Sequence, residues 1–149
     1  MIYLFLSVLL VLFDIITKQI TVANMTVGQS LPIIENIFHL TYVKNTGAAF
    51  SILSGERIFL ILMPVLIIAA ILIYIFVKKP TSKLLMVSFS MIISGGIGNL
   101  IDRIKLGYVI DFLDFCLINF PVFNLADIWI TVGAILFIAL LLFSKEDHL

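Results

Sequence analysis

The sequence predicts an all-α polytopic membrane protein: four transmembrane helices and a small extracytoplasmic β-rich surface element from the first loop. Three observations lead there. Hydrophobic residues make up 62% of the 149 and charged residues 12%, against roughly 45–50% and about 25% in soluble domains. A chain this short cannot hide so much apolar surface in one water-soluble core, so lipid must serve as its solvent. The apolar residues gather in four segments, approximately 2–20, 58–77, 84–106 and 128–143, of the order needed to cross a hydrocarbon core of about 30 Å. The stretch 21–57 instead holds turn formers and a β-branched, aromatic run. One integral membrane domain over residues 1–149 is expected.

The first segment opens with apolar residues interrupted by Ser7, then shows Asp14, Thr17 and Lys18. It has no basic leader and no small-residue cleavage site, so it reads as a retained helix. Asp14 and Lys18 are four apart and share a face with Ser7. They read either as a structural ion pair near the membrane surface or as a support for a buried site. After Asn24, Gly28, Pro32 and Asn36 comes Ile37-Phe-His-Leu-Thr-Tyr-Val43, which predicts two or more short strands at the membrane surface. Next stands Lys44-Asn-Thr-Gly-Ala-Ala-Phe50, where Gly47, Ala48 and Ala49 permit close approach and Asn45 offers donors and an acceptor.

Segment two carries no charge, and its Pro64 is tolerable in a membrane helix. Lys78, Lys79 and Lys83 follow, and positive charge marks cytoplasmic loops. Residues 78–83 are therefore expected in the cytoplasm with both termini, and loops 21–57 and 107–127 outside. Four of the nine acids, Asp102, Asp111, Asp114 and Asp127, fall by the outer end. Net charge is zero, so no nucleic-acid partner is expected. Cys116 is the single cysteine, and His39 and His148 stand far apart. No disulfide, metal or cofactor is expected.

Charges at the centre of a bilayer helix cost about 2.5–3.5 kcal/mol each by insertion scales, so those present must be paired, wetted or used. Gly95, Gly98, Asn99 and Asp102 lie on one helical face, with Arg103 beside them, and Ser94 and Gly98 give small-xxx-small spacing. A local Asp102–Arg103 ion pair anchoring the helix end is the plain account of the two charges. Asp114 reads as a wetted loop residue. Asn124 and Asp127, three apart at a helix start, read as a cap, which leaves Asp111 unexplained. Two carboxylates in a low-dielectric site share a proton, the arrangement of aspartic proteases. From chemistry alone, an aspartyl hydrolase stands beside a small ion- or proton-coupled transporter and a purely structural subunit. A transporter predicts titratable groups spread through the membrane depth.

Five words in order identify a resemblance: Asp14-Ile-Ile-Thr-Lys18, Lys44-Asn-Thr-Gly-Ala-Ala-Phe50, Gly95-Gly-Ile-Gly-Asn-Leu-Ile-Asp-Arg103, Val109-Ile-Asp-Phe112 and Phe123-Asn-Leu-Ala-Asp127. With four spans and a basic loop, the chain resembles the bacterial lipoprotein signal peptidases, or signal peptidase II, over nearly its whole length. The resemblance implies an aspartyl endopeptidase of the bacterial plasma membrane that cuts diacylglyceryl-modified prolipoproteins just before the lipidated cysteine. It implies Asp111 and Asp127 as the catalytic dyad. Asn45, Gly47, Asn99, Arg103, Asn124 and Ala126 would support the site and the substrate, and Asp14, Lys18 and Asp102 the structure. Asp102 competes with Asp111 for the dyad, but Arg103 and Asn99 give it a supporting environment. Membrane lipids and the cyclic peptide antibiotic globomycin are the further implied partners. A monomer is expected, because one bundle would hold the site.

Overall fold

The computed structural model describes residues 1–47, 53 and 55–143. Four helices, α1 (Ile2–Asn24), α2 (Arg57–Lys78), α3 (Lys83–Lys105) and α4 (Leu125–Phe143), are long and apolar enough to cross a membrane. At 1.5 Å per residue, α1–α3 are each about 33–35 Å long and α4 about 28 Å. Three strands, β1 (Ser30–Ile34), β2 (Phe38–Asn45) and β3 (Val109–Asp114), form one antiparallel sheet in the order β1-β2-β3. Ala48 and Ala49, singled out above for close approach, lie outside the described residues, as does His148.

The bundle is built inside out relative to a soluble one. The buried residues of α1 are Asp14, Lys18 and Thr21, while Phe5, Leu9, Phe13 and Ile16 are exposed. Lipid solvates those apolar faces, and the polar groups turn inward where partners await them. Helix α3 is the centre: half of its apolar window is buried, against 6% for α2, and it packs on all three other helices. It starts at Ser82, whose side chain accepts from the Leu85 N–H at 3.4 Å. Gly107, at φ 84°, lies just past its end, where the Leu106 and Gly107 N–H groups bond back to Asp102 and Arg103. A residue with a side chain is strained in that left-handed conformation.

Glycine sets the helix spacing. A Cβ at Gly95 would strike the Ala126 carbonyl oxygen and come within 2.7 Å of Ile130 Cγ1. One at Gly133 would lie 2.9 Å from the Ser88 carbonyl oxygen, whose own hydroxyl donates to the Gly133 carbonyl at 3.1 Å. At Gly98 the space is taken by the Asp14 carboxylate. The close approach of α3 thus falls at Gly95 and Gly98, while Ser94 spends its hydroxyl on Ser90 O of its own helix at 2.6 Å. Gly95→Ala and Gly133→Ala are each expected to cost about 1–3 kcal/mol, read as lowered melting temperatures in detergent. Gly96→Ala should cost less, because the nearest atom there is the mobile end of Ile68 at 3.1 Å.

The hairpin β1–β2 follows α1 and turns at Asn36, at φ 59°, a conformation asparagine tolerates. The strands expected in the first loop are thus present, and 107–127, expected as a loop, adds β3 to them. Its β-branched and aromatic pattern, starting two residues after Gly107, was the available signal. A register slip between Leu40 and Val43 sets Val43 opposite Asp111 and Asn45 opposite Val109. Asp114 closes β3 rather than sitting in a wetted loop, half-buried and accepting from the Thr41 hydroxyl at 2.6 Å.

Candidate active site

The sheet lies at the end of the bundle where α1 and α3 finish and α2 and α4 begin, and the conspicuous polar residues converge there. Strand β3 leaves α3 through Gly107, and its start is fixed by the Ile110 N–H donating to Asp102 Oδ2 at 3.2 Å. Farther along, Phe112 and Leu113 N–H both donate to the Phe123 carbonyl, at 3.0 and 2.8 Å, and the Phe123 N–H returns to Leu113. This clamp closes the segment 115–122 and brings Asn124, the residue before α4, alongside Asp111.

Asn124 is fully buried and binds both carboxylates. Its Nδ2 donates to Asp111 Oδ1 at 2.6 Å, and its backbone N–H donates to Asp127 Oδ2 at 3.1 Å. Its Oδ1 accepts the Asp127 N–H at 3.0 Å, completing a reciprocal cap at the start of α4. The expected cap is thus present, and the same residue also ties Asp127 to Asp111. Asp127 Oδ1 receives Asn99 Nδ2 at 2.7 Å, and Asp111 Oδ2 receives Asn45 Nδ2 at 2.9 Å. The helix dipole adds positive potential around Asp127.

Asp111 is 1% exposed. Burial, and after it the charge of Asp127, push its carboxyl up to about 7, against the opposing pull of Asn45 and Asn124. Its proton is thus held near neutral pH.

Beneath this pair lies a second cluster. Lys18 Nζ contacts Asp14 Oδ2 at 2.8 Å, Asp102 Oδ2 at 3.1 Å and Asn99 Oδ1 at 3.0 Å, with Lys18 and Asp14 almost wholly buried. Asp14 Oδ1 also accepts the Ala126 N–H at 2.9 Å, which satisfies a donor in the first turn of α4. The Asp14–Lys18 pair is therefore a buried brace beneath the two carboxylates, tied to α3 and α4. The expected Asp102–Arg103 pair is replaced: Asp102 faces Lys18 and the Ile110 N–H, while Arg103 Nη2 donates to the Gly47 carbonyl at 3.0 Å. The backbone runs the wrong way for a local pair, since adjacent helical residues point about 100° apart.

A cleft of about 730 Å³ opens above the carboxylates. Asn45, Asn99, Arg103, Asp111 and Asp127 make its polar floor, and Val43, Phe115, Phe123, Ile128, Ile130 and Val132 contribute to its apolar walls. Gly47 adjoins this floor, with its N–H on Asn45 Oδ1 at 2.9 Å. Asn124 and Ala126 are wholly buried behind the floor and do not line the cleft; Ala126 packs against Gly98. The apolar walls carried no residue-level signal, since Val, Ile and Phe occur throughout this chain.

The family model for signal peptidase (SPase) II matches residues 6–143. The chain is 46% identical over 138 residues to the lipoprotein signal peptidase of Halothermothrix orenii, covering 93% of this chain and 92% of that one. It is 47% identical over 133 residues to that of Nostoc punctiforme, covering 89% and 83%. A solved bacterial membrane enzyme, obtained by the in meso method, superposes with a TM-score of 0.91 at 33% identity, covering 97% of this chain and 90% of that one. A second such enzyme gives 0.86 at 34%, with 96% and 94% covered. Motif words, fold and whole-length similarity agree, and the chain belongs to the signal peptidase II family.

Proposed function

We propose that this protein is a prolipoprotein signal peptidase: an intramembrane aspartyl endopeptidase that cleaves diacylglyceryl-modified prolipoproteins immediately before the lipidated cysteine, using Asp111 and Asp127. The observation that carries this reading is the pair of carboxylates joined through Asn124 on the floor of an apolar cleft. Asp127, fixed by Asn99 and the Asn124 N–H, takes a proton from water as the water oxygen attacks the scissile carbonyl. Asp111 gives its proton to the carbonyl oxygen, so that a neutral tetrahedral intermediate forms. The C–N bond then breaks, the nitrogen takes up the proton held by Asp127, and Asp111 regains one from the collapsing intermediate. Asn45 and Arg103 stand where they can hold peptide carbonyls, and the apolar walls suit the lipid-bearing end of the substrate.

The lysine-bearing connection between α2 and α3 lies in the cytoplasm in this reading, with the start of α1 and the end of α4. The cleft and sheet then face the outer leaflet of a bacterial plasma membrane, and substrate enters laterally from the bilayer. Globomycin-like cyclic peptides would compete for the cleft. One chain supplies every group of the site, so a monomer suffices.

Incubation of the purified protein in detergent with a lipidated prolipoprotein is the deciding experiment. The expected products are the signal peptide and a chain beginning with the lipidated cysteine. Uncut substrate, together with proton-driven flux in liposomes, would overturn the proposal in favour of a transporter. Such a path needs acids through the bilayer depth, whereas Asp14 is committed to Lys18 and Ala126.

The pH dependence has a definite sign. Asp111 must be protonated to act as the acid, and its protonated fraction falls as pH rises through about 7. The turnover rate should therefore decline about tenfold per unit on the alkaline side. Asn45→Ala removes a donor that favours the ionised form, so it should move this limb to higher pH. Rates measured from pH 5 to 9 that stayed level would defeat the shared-proton mechanism.

A further inference from the structure

Outside the cleft, the fold assembles a donor set that no sequence spacing announces. His39 on β2 lies directly opposite Asp114 on β3, and Cys116 follows in a 3-10 turn, Cys116–Ile118. One nitrogen, one carboxylate oxygen and the sulfur of these residues all lie within 4.8 Å of one another. We propose that His39, Asp114 and Cys116 form a binding site for a divalent transition-metal ion of the zinc type. Because side chains alternate along a strand, Asp114 stands on the sheet face opposite to Asp111, so this site is separate from the carboxylate pair.

The second observation is an unmet polar atom. His39 Nε2 is buried with no hydrogen-bond partner, and such orphans are rare enough to require an explanation. The other ring nitrogen is engaged: Nδ1 lies 3.2 Å from Ser30 Oγ, which leaves Nε2 as the ligand atom. Metal-binding histidines are characteristically held in this way by an outer partner on the opposite nitrogen. Ser30 Oγ is in turn 2.8 Å from Thr41 Oγ1, which donates to Asp114 Oδ2 at 2.6 Å. One chain of hydroxyls therefore steadies two of the three ligands.

The geometry and chemistry select the ion. Zinc bonds of about 2.0–2.3 Å place tetrahedral ligand atoms roughly 3.3–3.8 Å apart. The three atoms now lie within 4.8 Å of one another, so the ligands draw together when the ion binds. Nitrogen, thiolate and carboxylate together favour zinc or cobalt over magnesium or calcium, which prefer all-oxygen sites. Binding releases the thiol proton to solvent, replaces the weak contact of Cys116 Sγ with the Asp114 carbonyl at 3.7 Å, and leaves the fourth position to water. It would also fasten the 3-10 turn to β2. Phe115 and Ile118, on either side of Cys116, both line the cleft, so the metal would stiffen one rim of it.

Tag-free, metal-stripped protein in detergent is titrated with Co²⁺ and then with Zn²⁺. One Co²⁺ per chain is expected, with a thiolate-to-cobalt absorption band in the near ultraviolet that Zn²⁺ abolishes. Cys116→Ser should remove the band, and His39→Ala should weaken Zn²⁺ binding at least tenfold. Ser30→Ala, which leaves all three ligands in place, should weaken it severalfold and serves if His39→Ala does not fold. Glu35→Gln, an acid in the hairpin turn, should bind as the unaltered protein does. Absence of the cobalt band, or equal Zn²⁺ affinity in the Cys116 and His39 variants, overturns the proposal.

Discussion

Asp127→Asn and Asp111→Asn will each lower the cleavage rate of a lipidated prolipoprotein by about 10³-fold or more, with substrate binding largely kept. General acid or base catalysis alone contributes roughly 10²–10⁴-fold, and groups that act as a unit lose nearly everything when one is removed. The double variant should therefore be little worse than either single one. Both substitutions keep volume but not hydrogen bonding. Each Asp127 oxygen accepts a bond, from Asn99 and from the Asn124 N–H, and each Asp111 oxygen accepts one, from Asn124 and Asn45. An amide in either place sets one donor against another, so folding must be checked by melting and by binding of a lipopeptide. Asp102→Asn is the contrast. Its carboxylate faces Lys18 and the Ile110 N–H, so the variant should lose stability yet retain far more turnover than the other two. Folded Asp111→Asn protein that cuts within tenfold of the normal rate would remove Asp111 from the chemistry.

Lys18→Met will destabilise the fold by about 3–5 kcal/mol, the cost of removing one partner from a buried ionic cluster. In a chain of this size that is a fall of about 10 °C or more in melting temperature. Lys18 is the shared cation of Asp14 and Asp102 and also holds Asn99 Oδ1. Its loss leaves two carboxylates facing each other out of reach of bulk water, and it frees the Asn99 amide that points at Asp127. Activity should fall with stability for that second reason. Adding Asp14→Asn and Asp102→Asn to Lys18→Met should recover part of the loss, because neutralising the whole cluster removes the uncompensated charge. A Lys18→Met protein that melts with the unaltered one would show that the cluster contributes nothing to holding the bundle together.

The helices and the polar words were legible because lipid imposes severe rules: long apolar runs, and charge only where it is used. Partnership was less legible. Asp102 and Arg103 are neighbours in sequence, and the fold sends one to Lys18 and the other to Gly47. Asp14 and Lys18 looked local, yet their remaining valences go to α3 and α4. Strand β3 escaped because a six-residue run carries little periodicity, and its strand character rests on pairing with β2 across a long loop. The grouping of His39 with Cys116 could not be read at all, since it depends on that same pairing. Asp111 and Asp127 stand out in sequence as acids set in apolar words, and the resemblance makes them the dyad. Their shared attachment to Asn124 supplies a geometric reason that sequence could not.

The way Lys18 divides itself among partners has a bearing on how the protein enters its membrane. Synthesis runs from the N-terminus, so α1 exists before α3 is made. During that interval Asp102 and Asn99 are absent, but the Asp14–Lys18 contact at 2.8 Å is internal to α1. The helix therefore carries its own countercharge and can rest in lipid as a neutral segment. The later arrival of α3 turns a self-sufficient pair into a junction, and α4 then caps the remaining Asp14 oxygen through Ala126. Asp127 comes with that same last helix, so the pair of carboxylates is completed only when the bundle is. An unfinished chain would sit in the bilayer with the carboxylate pair incomplete.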